Sequence, residues 1–131
     1  MSISLEQAVA LGAAYTAAWN SKDPQAVASF YATKSQIVIN RGTPWIDRAG
    51  IAEMAAGFYR DVPDLNLTCD SVRPAGRHMA YLWTFTGHDA GTGHPLAIQG
   101  WEEWDLDDTH KVIASRGWFD AEDYARQAAG A

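Results

Sequence analysis

Four stretches of alternating residues fill the second half of the chain, at 65–73, 78–88, 96–106 and 111–119, with only short, turn-rich segments between them. Successive side chains of an extended strand point to opposite faces. Strands joined by connections as short as "PAGR" and "DDTH" can pair only antiparallel, and "DAGTGHP" is a longer, Gly-rich version of the same link. Half of the molecule is thereby committed to a sheet, and what precedes it must cover one face of that sheet.

The segment "IQGWEEWDL" shows which face is covered. Alternation puts Ile98, Gly100, Glu102, Trp104 and Leu106 on one side and Gln99, Trp101, Glu103 and Asp105 on the other. The first set is apolar except for Glu102, so it is expected inward. In the preceding strand the bulky set is Tyr81, Trp83 and Phe85, against Leu82, Thr84 and Thr86. Glu102 is therefore expected among Trp83, Phe85 and Trp104. Burial there raises a carboxyl pKa and keeps the acid protonated, which makes it a hydrogen-bond donor able to stabilise an enolate or other oxyanion. A glutamate at the rim, or one paired with a buried arginine, is the competing reading.

The first half reads as helices. Ser4 and Gln7 form a capping-box pair ahead of a helix over 5–20, with Leu5, Val9, Gly12, Thr16 and Trp19 on one stripe and Leu11, Tyr15 and Ala18 on the next. Asp23 and Pro24 open a second helix to about residue 32, its apolar face made by Val27, Phe30 and Tyr31. "QIVIN" at 36–40 reads as a strand, Trp45 and Ile46 as a resumed one, and 48–60 as a third helix carrying Ile51, Met54, Ala55 and Phe58. The tail "AEDYARQAAGA" is a short helix or a frayed end. Helices first and antiparallel strands afterwards make an α+β fold: one domain over 1–131, a cone-shaped curved antiparallel sheet packed against three helices of the N-terminal half and enclosing a pocket.

Composition narrows the partners. A net charge of −6 argues against nucleic acid and against an anionic membrane, and no apolar run is long enough to span a bilayer. The lone Cys69 excludes an internal disulfide and suits a cytoplasmic location, and "MSISLEQ" lacks the features of a signal peptide. Six Trp, five Tyr and four Phe supply more aromatic surface than packing alone requires, which points to a cavity or an interface. Trp101, on the outer sheet face, suggests a second copy as partner. His88, Asp89 and His94 share a loop, but their spacing fits no specific metal motif, so no metal is expected.

"YTAAWNSKD", "AVASFYA" and "WDLDDTHKVIASRGWF" together resemble the nuclear-transport-factor-2-like superfamily, and within it the SnoaL-like polyketide cyclases and ketosteroid isomerases, over about 5–126. The resemblance implies a cofactor-free pocket protein, a homodimer that meets through its outer sheet face, and a small hydrophobic ligand. It implies for Tyr15 the role of an oxyanion tyrosine and for Glu102 that of the protonated oxyanion-hole acid. The isomerase base would fall near Ile39 or Asn40, neither of which can abstract a proton. The cyclase pattern offers Asp120 instead, which alternatively caps the terminal helix. Arg116 and Asp120 supply only a fragment of the Asp-Arg-Asp set of limonene-epoxide hydrolases. Trp19, Asn40, Met54, Phe58, Trp83, Phe85, Trp104 and Phe119 are the candidate ligand contacts, with core packing the alternative for the tryptophans and strand termination the alternative for Asn40. The chemistry implied is isomerase- or cyclase-like, with a non-catalytic binding module of the same fold as the alternative.

Overall fold

The computed structural model describes residues 2–131. Along the chain lie α1 (Leu5–Asn20), α2 (Pro24–Ala28), β1 (Tyr31–Ile39), β2 (Trp45–Ile46), α3 (Asp47–Asp61), β3 (Asn66–Ala75), β4 (His78–His88), β5 (Pro95–Leu106), β6 (Val112–Phe119) and α4 (Ala121–Ala129). The strands form one six-stranded sheet in the order β2-β1-β6-β5-β4-β3. The three hairpins β3–β4–β5–β6 pair antiparallel, as their short links require, and so do β1 and β2. β1 and β6 instead pair in parallel, Ile37 opposite Ser115 and Ile39 opposite Gly117. A parallel pair needs a long crossover, and here everything from β2 to β5 provides it.

Register breaks between Tyr31 and Gln36, Cys69 and Ser71, and Asp105 and Leu106 bend the strands. The curved sheet wraps its inner face around the helices, α1 lying over β3 and α3 over β1. Between them Tyr15, Tyr31, Tyr81, Trp104, Ile51 and Ile98 are fully buried. No helix among the described residues is long and apolar enough to cross a membrane.

Two sequence expectations need correction. α1 does form with the Ser4–Gln7 capping box, but it buries Ala8, Gly12, Tyr15, Ala18 and Trp19 and leaves Leu5 and Val9 more than half exposed. Tyr15 and Trp19 have more apolar surface to bury than the two aliphatics, so they set the rotation. Gly12 permits the close approach, since a Cβ there would lie 2.9 Å from Val72 Cγ1 of β3. The second correction concerns α2, which ends at Ala28 with Ser29 as its C-cap. Tyr31 belongs to β1, where the inward set Tyr31, Ser35 and Ile37 is buried.

The C-terminal residues fold as the short helix α4. Asp120 caps it, its carboxylate accepting from Asp123 N at 3.0 Å. Further along, the Gln127 side chain accepts from Ala97 N at 2.7 Å and donates to Ala97 O at 3.1 Å. β6 stops opposite Gly100, so this amide satisfies the β5 backbone where the neighbouring strand has run out.

Candidate active site

The inner face of the curved sheet and the facing helices leave a cleft lined by Trp19 of α1, Met54 and Phe58 of α3, Ile37 and Ile39 of β1, and Leu65 and Leu67. The strands add Trp83, Phe85, Glu102, Gly117, Trp118 and Phe119. It measures about 510 Å³ with its open mouth included. Its aromatic wall is continuous: Phe58 meets Phe85 at 6.4 Å between ring centroids, Phe85 stacks on Trp83 at 5.9 Å, and Trp83 meets Phe119 at 6.4 Å.

Glu102 is the only titratable side chain in that lining. Strand parity on β5 turns it inward between Gly100 and Trp104, and it is 7% exposed. Its Oε1 accepts from Trp104 Nε1 and from Ser115 Oγ, each at 2.9 Å, and from the Tyr15 and Tyr31 hydroxyls at 3.2 Å and 3.3 Å. Oε2 has the Tyr15 hydroxyl alone, at 3.3 Å. Burial pushes the Glu102 pKa above the usual carboxylate range, while the four donors pull the other way without cancelling it. Burial, with the Glu102 charge adding to it, also holds the Tyr15 and Tyr31 hydroxyls neutral, well above the ordinary tyrosine value. With Oε1 occupied by donors, the acid proton belongs on Oε2, the less engaged oxygen.

The structure separates the predicted residues into groups. Trp19, Met54, Phe58, Trp83, Phe85, Glu102 and Phe119 line the cleft. Tyr15 and Trp104 stand behind Glu102, fully buried, their rings 4.8 Å apart and Trp104 stacked on Tyr81. Neither lines the cleft; both donate hydrogen bonds to the Glu102 carboxyl. Asn40 closes β1 with a left-handed backbone, φ 50°, and its Oδ1 accepts from Phe119 N at 3.0 Å, binding strand to strand. Asp120 is exposed and engaged as the α4 cap. Arg116 points to the outer face, to Glu103 and Asp105. His88 is held by Asp64 at 2.6 Å, and Asp89 ties its own turn through Gly91 and Thr92.

Sequence reasoning missed Tyr31 and gave Ser115 no role. Parity runs back from Ile37 to Ser35, but Thr33 is exposed and the register shifts between Tyr31 and Gln36, so no unbroken period of two marked Tyr31 as inward. Ser115 shares an inward face with Gly117 and Phe119, and it stands two residues before the cleft-lining Gly117.

A curved sheet closed by helices around an apolar cleft, with one buried carboxyl in its wall, defines a class of pocket-bearing α+β proteins. The chain belongs to the SnoaL-like domain family, whose model matches residues 13–114. Among curated proteins none matches the sequence. Similar solved structures include a hypothetical protein of ketosteroid isomerase-like fold from Catenulispora acidiphila DSM 44928, in complex with trimethylamine. It has a TM-score of 0.83 at 18% identity, over 91% of this chain and 92% of that one. A candidate SnoaL-like polyketide cyclase from Jannaschia sp. CCS1 gives 0.79 at 12%, over 93% and 94%. AclR, a candidate hydroxylase from Streptomyces galilaeus, gives 0.82 at 19%, over 98% and 84%. At these identities the likeness establishes the fold alone.

Proposed function

We propose that the cleft takes a small hydrophobic carbonyl compound and that Glu102, protonated on Oε2, donates a hydrogen bond to its oxygen as negative charge develops there. A preorganised donor in a water-poor site is worth most where charge appears in the transition state. The observation that carries this reading is the asymmetry of the carboxyl: four donor groups stand within reach of Oε1, while Oε2 has only the Tyr15 hydroxyl, at 3.3 Å and shared with Oε1. The activity would be isomerase- or cyclase-like and calls for no cofactor. The cyclase-like neighbour from Jannaschia sp. and the hydroxylase-like one from Streptomyces galilaeus are in keeping with it.

A non-catalytic ligand-binding module is the second reading, favoured by one specific fact. Glu102 is alone among titratable groups in the cleft lining, and Asp120, the candidate base, is turned to its helix cap. Enolisation needs a base within hydrogen-bond reach of the substrate proton. The compact amine bound by the Catenulispora protein supports small-ligand binding as the common property.

Fluorescence titration with substituted naphthols, which mimic an enolate, tests the site. Binding that weakens in Glu102→Gln by about 1–3 kcal/mol, and less in Tyr15→Phe, supports an oxyanion site. Binding indifferent to Glu102→Gln removes it. Turnover of carbonyl compounds, lost in Glu102→Gln, separates the enzyme from the binder.

The outer sheet face is proposed as a homodimer interface. Trp101 is 43% exposed there, 6.4 Å from Trp118, whose ring carries Arg41 at 5.6 Å. Sedimentation equilibrium of the wild type and Trp101→Glu tests it, and a dimer that survives the substitution places the interface elsewhere.

A further inference from the structure

The hydrogen-bond donors around Glu102 favour its ionised form while burial favours the neutral one, and no counter-charge accompanies them. A neutral carboxyl oxygen has two lone pairs, and Oε1 is offered donors by Trp104, Ser115, Tyr15 and Tyr31. Donors in that number stabilise an anion. Among the described residues no Lys, Arg or His forms an ion pair with Glu102. The titratable groups packed around it are Tyr15 from α1, Tyr31 from β1 and Tyr81 from β4, all held neutral by burial. β5 and β6 contribute only Trp104 and Ser115. On the open side stand the rings of Trp19, Phe58, Trp83, Phe85 and Phe119. The faces of such rings attract cations, and aromatic cages are how proteins hold alkylated ammonium groups.

We infer that the cleft binds a small alkylammonium cation, with the Glu102 carboxylate as counter-ion and the aromatic wall around its alkyl groups. This rests on reading the cleft as a small-molecule site and adds a second ligand class to it. A neutral carbonyl ligand leaves the proton on Oε2. A cation sends that proton to solvent and takes its place against the same oxygen. The closely set rings of the wall suit a compact head group. A net charge of −6 assists cation entry.

Titration calorimetry with tetramethylammonium chloride, beside neutral tert-butanol of similar shape, tests the inference. Tetramethylammonium cannot titrate, so a proton released on binding comes from the protein, and two buffers of different ionisation enthalpy count it. The expected result is a preference of at least about tenfold for the cation. Release should approach one proton where the free carboxyl is protonated and vanish as pH rises through its raised pKa, with affinity rising over the same interval as the carboxyl ionises. Glu102→Gln should erase the preference, while Phe58→Leu should weaken cation binding and leave proton release intact. Equal affinity for the alcohol, a preference that survives Glu102→Gln, or binding without proton release at any pH overturns the inference. The wild-type proton count decides the matter even if the glutamine variant does not fold. Naphthol binding that depends on Glu102 while tetramethylammonium is refused would remove this inference and leave the carbonyl reading standing. Refusal of both would remove the small-molecule site itself.

Discussion

Replacing Gly100 by alanine tests whether the pocket wall is as tightly built as its contacts indicate. Gly100 lies on β5 directly across from Trp83 of β4 and Phe119 of β6. An added Cβ would stand 2.5 Å from Trp83 Cζ2 and 2.7 Å from Cη2, and closer still to the Trp118 carbonyl oxygen. Carbon atoms rest at about 3.5–4.0 Å, so the indole must retreat by about 1 Å. The carbonyl can yield only by loosening the β5–β6 ladder. Trp83 has little freedom, being stacked on Phe85 and adjacent to Phe119. Overpacking of this kind costs about 1–3 kcal/mol, or a fall in Tm of about 4 °C per kcal/mol for a domain of this length. Urea unfolding followed by tryptophan fluorescence measures it, and naphthol affinity should fall in parallel as the ring is driven from its place. The natural control is Gly57→Ala in α3, where the added methyl would meet nothing nearer than Arg60 at 3.6 Å. That change should stabilise by about 0.5–1 kcal/mol, because alanine favours the helix. If Gly100→Ala proves as harmless as its control, the wall is not packed as described.

Three further outcomes follow from the same geometry. Glu102 has a folded-state pKa raised by burial, so its stabilising contribution is fully present below the ordinary carboxyl range and is lost as pH rises through the raised value. Urea unfolding should therefore show Glu102→Gln gaining on the wild type as pH rises above the ordinary carboxyl range; a gap independent of pH would contradict this. Ser115→Ala removes a 2.9 Å donor from Oε1, which keeps three others, and should lower stability by about 0.5–1.5 kcal/mol in thermal melts. Asp120→Ala should cost about 0.5–2 kcal/mol as a lost cap and raise hydrogen exchange within Ala121–Ala129, with naphthol binding unchanged; a collapse of binding would restore Asp120 to the site.

The sheet was legible in the sequence because alternation is a local property, and β4 runs over His78–His88 as its pattern required. The inward turn of Glu102 followed from parity alone. What the sequence concealed depended on distant neighbours. Tyr31 follows Val27 and Phe30 at helical spacing, and only the docking of β1 beside β6 makes it a strand residue. The face of α1 was misjudged because Leu5 and Val9 continue the stripe to Trp19, while Gly12 and the side chains of β3 decide which face can approach. Asn40 carries the chemistry of a ligand contact and that of a strand terminator alike, and its bond to Phe119 N, across 79 residues of sequence, chose between them.

The parallel pairing of β1 with β6 has a consequence for the order in which the protein is made. β1 can pair with β2 early, but Ile37 waits for Ser115, so its other edge stays open until β6 has been synthesised. The partners of Glu102 come from α1, β1, β5 and β6, and its polar shell is incomplete until then. Contacts so far apart in sequence slow folding. The acid at the heart of the cleft is thus among the last features to be assembled.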